Sequence, residues 1–198
     1  MTDGSASRTA IIGVGNPMMG DDGIGPRLIA ELGGSVPGID LIDLGTGGMQ
    51  LVHVLARYDS VILIDAVDMG LMPGECRFFS PDEVVSLKET RAYSLHDWDL
   101  MRSIEISRQL GECPKSILIL AVQPASVRMC DTLSPELEHA IYSYVARLRK
   151  SMAALMAETR SSSTPAGRSE AMVSPSTLTT AEASMSEVTT RRSRRRAM

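Results

Sequence analysis

Ile11-Ile12-Gly13-Val14-Gly15-Asn16-Pro17-Met18-Met19-Gly20-Asp21-Asp22-Gly23-Ile24-Gly25 runs a short apolar segment into a glycine-rich turn with two adjacent carboxylates, and from there into a helical pattern. An apolar run closed by Gly-x-Gly opens a dinucleotide fingerprint, which needs a third glycine three residues later so that backbone can approach a pyrophosphate. That position is Met18. Asp21 and Asp22 would also repel phosphate where such a helix start attracts it. A nucleotide-binding α/β module is therefore disfavoured, and what remains is a turn that presents carboxylates.

Outward from this turn, apolar runs alternate with helical patterns. Residues 9 to 15 read as a buried strand and 22 to 33 as a helix with Ile24, Leu28, Ile29 and Leu32 on one face. Residues 39 to 44 form a second strand, Gly45-Thr46-Gly47-Gly48 leads into an amphipathic segment at 49 to 56, and 61 to 65 form a third strand. The crossovers are long enough for parallel pairing, and their right-handedness brings Asp22 and Asp65 to the carboxyl edge of one sheet. Residues 75 to 79 follow too closely for a helical crossover, and Pro73-Gly74 reads as a tight turn, so an antiparallel edge strand is expected.

Ser80-Pro81-Asp82-Glu83 has the cap residue, first-turn proline and third-position acid of a helix start, which predicts a short helix over 81–87. A helix over 97–110, a buried strand over 116–122 and a last helix begun by Ser134-Pro135-Glu136 complete the series. The fold class expected is α/β: three αβα layers around a mostly parallel twisted sheet of about five strands, one of them antiparallel at the edge.

Charge divides the 198-residue chain. Residues 1–157 hold 13 Lys and Arg against 20 Asp and Glu, while 158–198 hold 7 against 4. An acidic body with few aromatic residues does not suit nucleic acid. Residues 1–8 read as a disordered start, 9–157 as one domain, and 158–198 as a disordered Ser/Thr/Arg-rich tail that cannot offset its ordering entropy. The tail's terminal arginine run, from Arg191 to Arg196, reads as a solvated charge run. With no apolar leader and no run of membrane-spanning length, a cytoplasmic protein without membrane contact is expected. Cys76, Cys113 and Cys130 form no CxxC pair and read as small buried hydrophobes.

GVGNPMMGDDGIGP resembles the opening signature of the maturation endopeptidases of [NiFe] hydrogenases. The segment from Leu63 to Gly70 is similar to the family's strand-end aspartate segment, and Ser94-Leu95-His96-Asp97 falls where the family places its histidine. The resemblance covers roughly residues 9 to 150. It implies an endopeptidase, aspartic-type by family, that removes a C-terminal extension from a hydrogenase large-subunit precursor once nickel is inserted. Nickel then arrives with the substrate, and no permanently bound cofactor is expected. Carried over residue by residue, Asp22, Asp65 and His96 become the nickel-contacting residues, with Asp22 and Asp65 also catalytic. Gly45, Thr46 and Gly47 become the peptide-binding turn; separately, a monomer is expected. Many family members carry glutamate in place of Asp22; another branch carries aspartate in a similar setting.

Each residue also has a plainer reading. Asp21 and Asp22 suit a helix start, and beside the resemblance Asp22 is assigned the site and Asp21 the cap. Asp65 equally suits a turn anchor, Asp68 competes with it three residues on, and His96 suits the exposed start of a helix. His53 and His139 match no motif and read as structural or exposed. The glycine turn equally reads as a flexible strand-to-helix connection. Met18, Met19, Met69 and Met72 fall on loops at the same edge, as an adaptable surface or as core filling. The triad is expected at the rim of the domain.

An N/O donor set of two carboxylates and one imidazole suits a borderline divalent metal such as nickel or zinc. Two cleavage routes stay open: a carboxylate as general base, or nickel polarising the carbonyl and acidifying water. A non-catalytic nickel-binding chaperone using the same triad is the alternative class. HExxH and GxSxG motifs are both missing.

Overall fold

Alternation along the central strands decides how the layers assemble, because successive strand side chains point to opposite faces. In the computed structural model, which describes residues 8–33, 37–88 and 96–162 apart from the side chains of 85–88, 96–99 and 157–162, strand β1 is Thr9–Gly13 and strand β3 is Ser60–Ala66. Ile11, Ile62 and Ile64 enter one core with Ile24 and Leu28 of helix α1 (Ile24–Leu32) and Leu137, Ile141 and Tyr144 of helix α5 (Pro135–Ser162). Ala10, Ile12, Val61 and Leu63 enter the opposite core with Leu51 and Leu55 of α2 (Gln50–Leu55) and Leu100 and Ile104 of α4 (His96–Gln109). The result is the expected three-layer arrangement, with α1 and α5 on one face and α2 and α4 on the other.

The sheet order is β2-β1-β3-β5-β4, with β2 at Ile39–Asp43, β4 at Cys76–Phe79 and β5 at Ser116–Val122. β1 pairs parallel with β2 and β3, and β3 with β5; β4 runs antiparallel to β5. The antiparallel edge strand expected from the short Pro73-Gly74 link is therefore present. After β2 the chain crosses back over β1 to lay down β3. That reversal makes a topological switch point between β1 and β3, where open α/β sheets place their sites.

Helix α3 (Pro81–Lys88) begins as its sequence requires. The Ser80 N–H and hydroxyl both donate to Glu83 Oε2, at 2.7 and 2.8 Å, and the Glu83 N–H returns to Ser80 Oγ at 3.4 Å. The helix expected over 22–33 arrives in two parts, a 3-10 turn at Gly20–Gly23 followed by α1. α5 continues to Ser162. The expectations for residues 1–7 and 163–198 lie outside the described residues. Among the described residues no helix is long and apolar enough to cross a membrane. Cys76 is buried as expected, whereas Cys113 and Cys130 are half-buried because they sit in connecting loops.

Candidate active site

Close backbone approach explains the glycines of the first turn. A Cβ on Gly25 would lie 2.2 Å from the Val14 carbonyl oxygen and 2.9 Å from that of Ile64, so α1 can start against β1 and β3 only without a side chain there. Gly15 has a φ of +134°, and a Cβ on it would fall 1.8 Å from the Asp22 carbonyl oxygen. The turn thus folds back on itself and delivers Asp22 above the end of β1. The Asn16 N–H donates to Asp22 Oδ2 at 2.7 Å and sets the carboxylate's direction.

Asp65, next to last in β3, meets Asp22 in one cleft of about 260 Å³ at the switch point. Asn16, Thr46, Gly47 and Gly48 line the same cleft as the two acids, and Met19, Leu51, Leu100 and Val127 give its lining an apolar part. The carboxylates are buried, not at an exposed rim as expected: Asp22 is 9% exposed and Asp65 5%. A peptide must therefore enter the cleft to reach them.

The glycine turn divides its labour. Gly45 is one step back from the cleft: its N–H donates to Asp43 Oδ1 at 2.9 Å and its carbonyl accepts the Gly15 N–H at 2.7 Å, joining the two turns. Thr46 and Gly47 line the opening, as does Gly48. His96 is the first residue of α4, one turn before the cleft residue Leu100; its side chain lies outside the described residues. Among the described residues no three His, Cys, Asp or Glu side chains gather into a metal-binding group. Asp22 and Asp65 supply two oxygen donors of the type a hard or borderline cation takes.

Asp68 is exposed and does not line the cleft. It accepts from Gln123 Nε2 and the Gly70 N–H, each at 3.1 Å, and these bonds hold its carboxyl below its ordinary value. His53 and His139 are exposed on their helices. Of the loop methionines, Met69 is buried, Met19 lines the cleft, and Met18 and Met72 face solvent.

The hydrogenase maturation protease profile matches residues 26–151, well over half of the chain. The chain belongs to the hydrogenase maturation protease family. Hydrogenase 2 maturation protease of Escherichia coli K12 is 31% identical over 152 residues, which cover 73% of this chain and 92% of that one. Hydrogenase expression/formation protein HupD of Bradyrhizobium diazoefficiens is 33% identical over 126 residues, covering 62% of this chain. The chain spans just under two thirds of that relative's length, 66%. Among solved structures, the hydrogenase maturating endopeptidase HybD from E. coli superposes with a TM-score of 0.63 at 30% identity, covering 73% of this chain and 93% of that one.

Two residues that shape this family member's cleft were not visible as such in its sequence. Asp21, read as the cap of its own helix, does not cap it: neither the 3-10 turn nor α1 has a side-chain cap bond. Its carboxylate, 1% exposed, instead accepts the N–H groups of Ala125, Ser126 and Ser134 at 2.7, 3.0 and 2.6 Å. Gln123, buried just past β5, accepts the Met69 and Leu71 N–H groups at 2.7 and 3.2 Å and so holds the turn after Asp65. The one local signal for it is a polar residue where a buried strand meets Pro124.

Proposed function

We propose that this chain is an endopeptidase that removes the C-terminal extension of a [NiFe] hydrogenase large-subunit precursor after nickel insertion. The observation that carries the reading is the meeting of Asp22, from the 3-10 turn after β1, and Asp65, from the end of β3, in one cleft that Thr46, Gly47 and Gly48 also line. Family membership supports the reaction class. The cleft supports a peptide substrate, since its lining joins a glycine-rich turn with backbone N–H groups to the apolar side chains of Met19, Leu51, Leu100 and Val127.

In this account nickel is part of the substrate. Asp22 and Asp65 offer carboxylate oxygens to nickel carried by the precursor, and His96 at the start of α4 adds an imidazole nitrogen. Hydrolysis needs a base for the proton of the attacking water and positive charge near the scissile carbonyl oxygen. A carboxylate fits the first need and the precursor's nickel the second. Water adds across the peptide bond, its hydroxyl to the carbonyl carbon and its one remaining proton to the nitrogen of the leaving amine as the C–N bond breaks. A precursor without nickel would bring neither the charge nor the bond to these acids.

The test is the intact mass of nickel-loaded and nickel-free precursor before and after incubation with the full chain. Loss of one C-terminal peptide from the loaded form alone is expected. A complex that forms while both masses stay unchanged would overturn the reading in favour of a binding protein without peptidase activity.

A further inference from the structure

Adjacent carboxylates in the first turn do different work. Asp22 reaches the cleft, while Asp21 points away from it into the loop 124–134. The three N–H groups that Asp21 accepts bracket that loop, two near its start and one at its end. In between, the Cys130 N–H donates to the Met18 carbonyl at 3.0 Å and the Gly20 N–H to the Cys130 carbonyl at 2.7 Å. These fixed points leave a short tip of Val127, Arg128 and Met129. Val127 lines the cleft, and Met129, two residues on, is 86% exposed.

We propose that Asp21 is a positioning residue for precursor capture. By accepting three loop N–H groups it sets the 127–129 tip as a preformed wall, against which the precursor segment next to the scissile bond lies. This rests on the peptidase reading above. A loop of this length costs free energy to order, and a wall ordered before binding spares the complex that cost. Asp65 belongs to β3 and the Asp22 carboxylate is oriented by the Asn16 N–H, so neither carboxylate is held by a bond to the 127–129 tip. Loosening the loop therefore weakens capture more than it slows cleavage.

Asp21→Asn keeps the shape but turns an amide N–H toward at least one loop N–H. The experiment combines steady-state cleavage of nickel-loaded precursor with hydrogen exchange at Ala125, Ser126 and Ser134 of the free protein. Asp21→Asn is expected to exchange about tenfold faster at one or more of these amides, and to raise KM about tenfold with kcat within about threefold of the parent. Val127→Ser leaves the staple intact and should raise KM about threefold without faster exchange, which keeps the test valid should Asp21→Asn not fold. A kcat loss at constant KM in Asp21→Asn, or an unchanged KM in Val127→Ser, would overturn the proposal. If the parent protein leaves the precursor uncut, the peptidase reading fails on its own. The proposal is then decided by precursor affinity, which Asp21→Asn should weaken about tenfold and which an equal Kd would contradict.

Discussion

The backbone N–H of Asn16 donates to Asp22 Oδ2 at 2.7 Å, so the residue that enters the turn aims the carboxylate that leaves it. Among the described residues Asp22 Oδ1 has no hydrogen-bond partner, which leaves it to the cleft. Asp22→Ala orphans the Asn16 N–H and is expected to cost about 1 kcal/mol, whereas Asp22→Asn retains an acceptor and should melt close to the parent. Both should lose cleavage by about a hundredfold or more, because neither carries the charge. Thermal melts beside a precursor cleavage assay check the two effects separately. Cleavage by Asp22→Asn near the parent rate would remove this residue from the chemistry.

Asp21→Ala removes a buried carboxylate that accepts three part-buried N–H groups at once. The expected loss is about 3 kcal/mol, larger than for any change at Asp22, since three hydrogen bonds to one charged acceptor are lost together. Urea unfolding measures it as a lower midpoint at constant slope. A midpoint within error of the parent would mean that water replaces the carboxylate at no cost.

Two glycines of similar appearance should behave differently. Gly25→Ala forces a Cβ into the Val14 and Ile64 carbonyls and is expected to lose about 3 kcal/mol or more, or the fold itself. Gly48 has a φ of +58° but open space around its missing Cβ, so Gly48→Ala should cost only the left-handed strain of about 1 kcal/mol. Denaturant midpoints of the two variants decide this.

Tyr144 gives the fold a dependence on alkaline pH. Its buried hydroxyl donates to the Gly74 carbonyl, and burial, with Cys76 and Asp21 nearby, pushes its pKa up from 10.0 to about 12. Between those values the unfolded chain has lost this proton and the folded chain has kept it. The contribution to stability is therefore complete below about pH 10 and is lost as pH rises toward about 12. Tyr144→Phe should lower stability at neutral pH by about 1 kcal/mol and flatten the decline between pH 10 and 12. Unfolding free energies across that range test both.

Most of the fold was legible because its signals are local. β5 occupies the residues its apolar run marks, the Ser80 and Glu83 box closes as its spacing requires, and a link too short for a helix made β4 antiparallel. The meeting of Asp22 and Asp65 was legible one level up, since alternating strands and helices with right-handed crossovers bring their strand ends to one edge. Asp21 was misread because its partners lie more than 100 residues away, at Ala125, Ser126 and Ser134, and leave no trace beside an Asp-Asp pair that suits a helix start. Gln123 reaches back to Met69 and Leu71 in the same way. The depth of the acids was misjudged for a related reason: exposure at a strand end is decided by the turns that fold over it.

The most direct test of the central claim is the rate at which mature large subunit forms from nickel-loaded precursor, read by intact mass, for the parent, Asp22→Asn, Asp65→Asn and the double variant. Two acids that act as one unit should each lose about a hundredfold or more when changed alone, with the double variant scarcely slower than either. Cleavage by the double variant at the parent rate would contradict the account and place the chemistry outside this cleft.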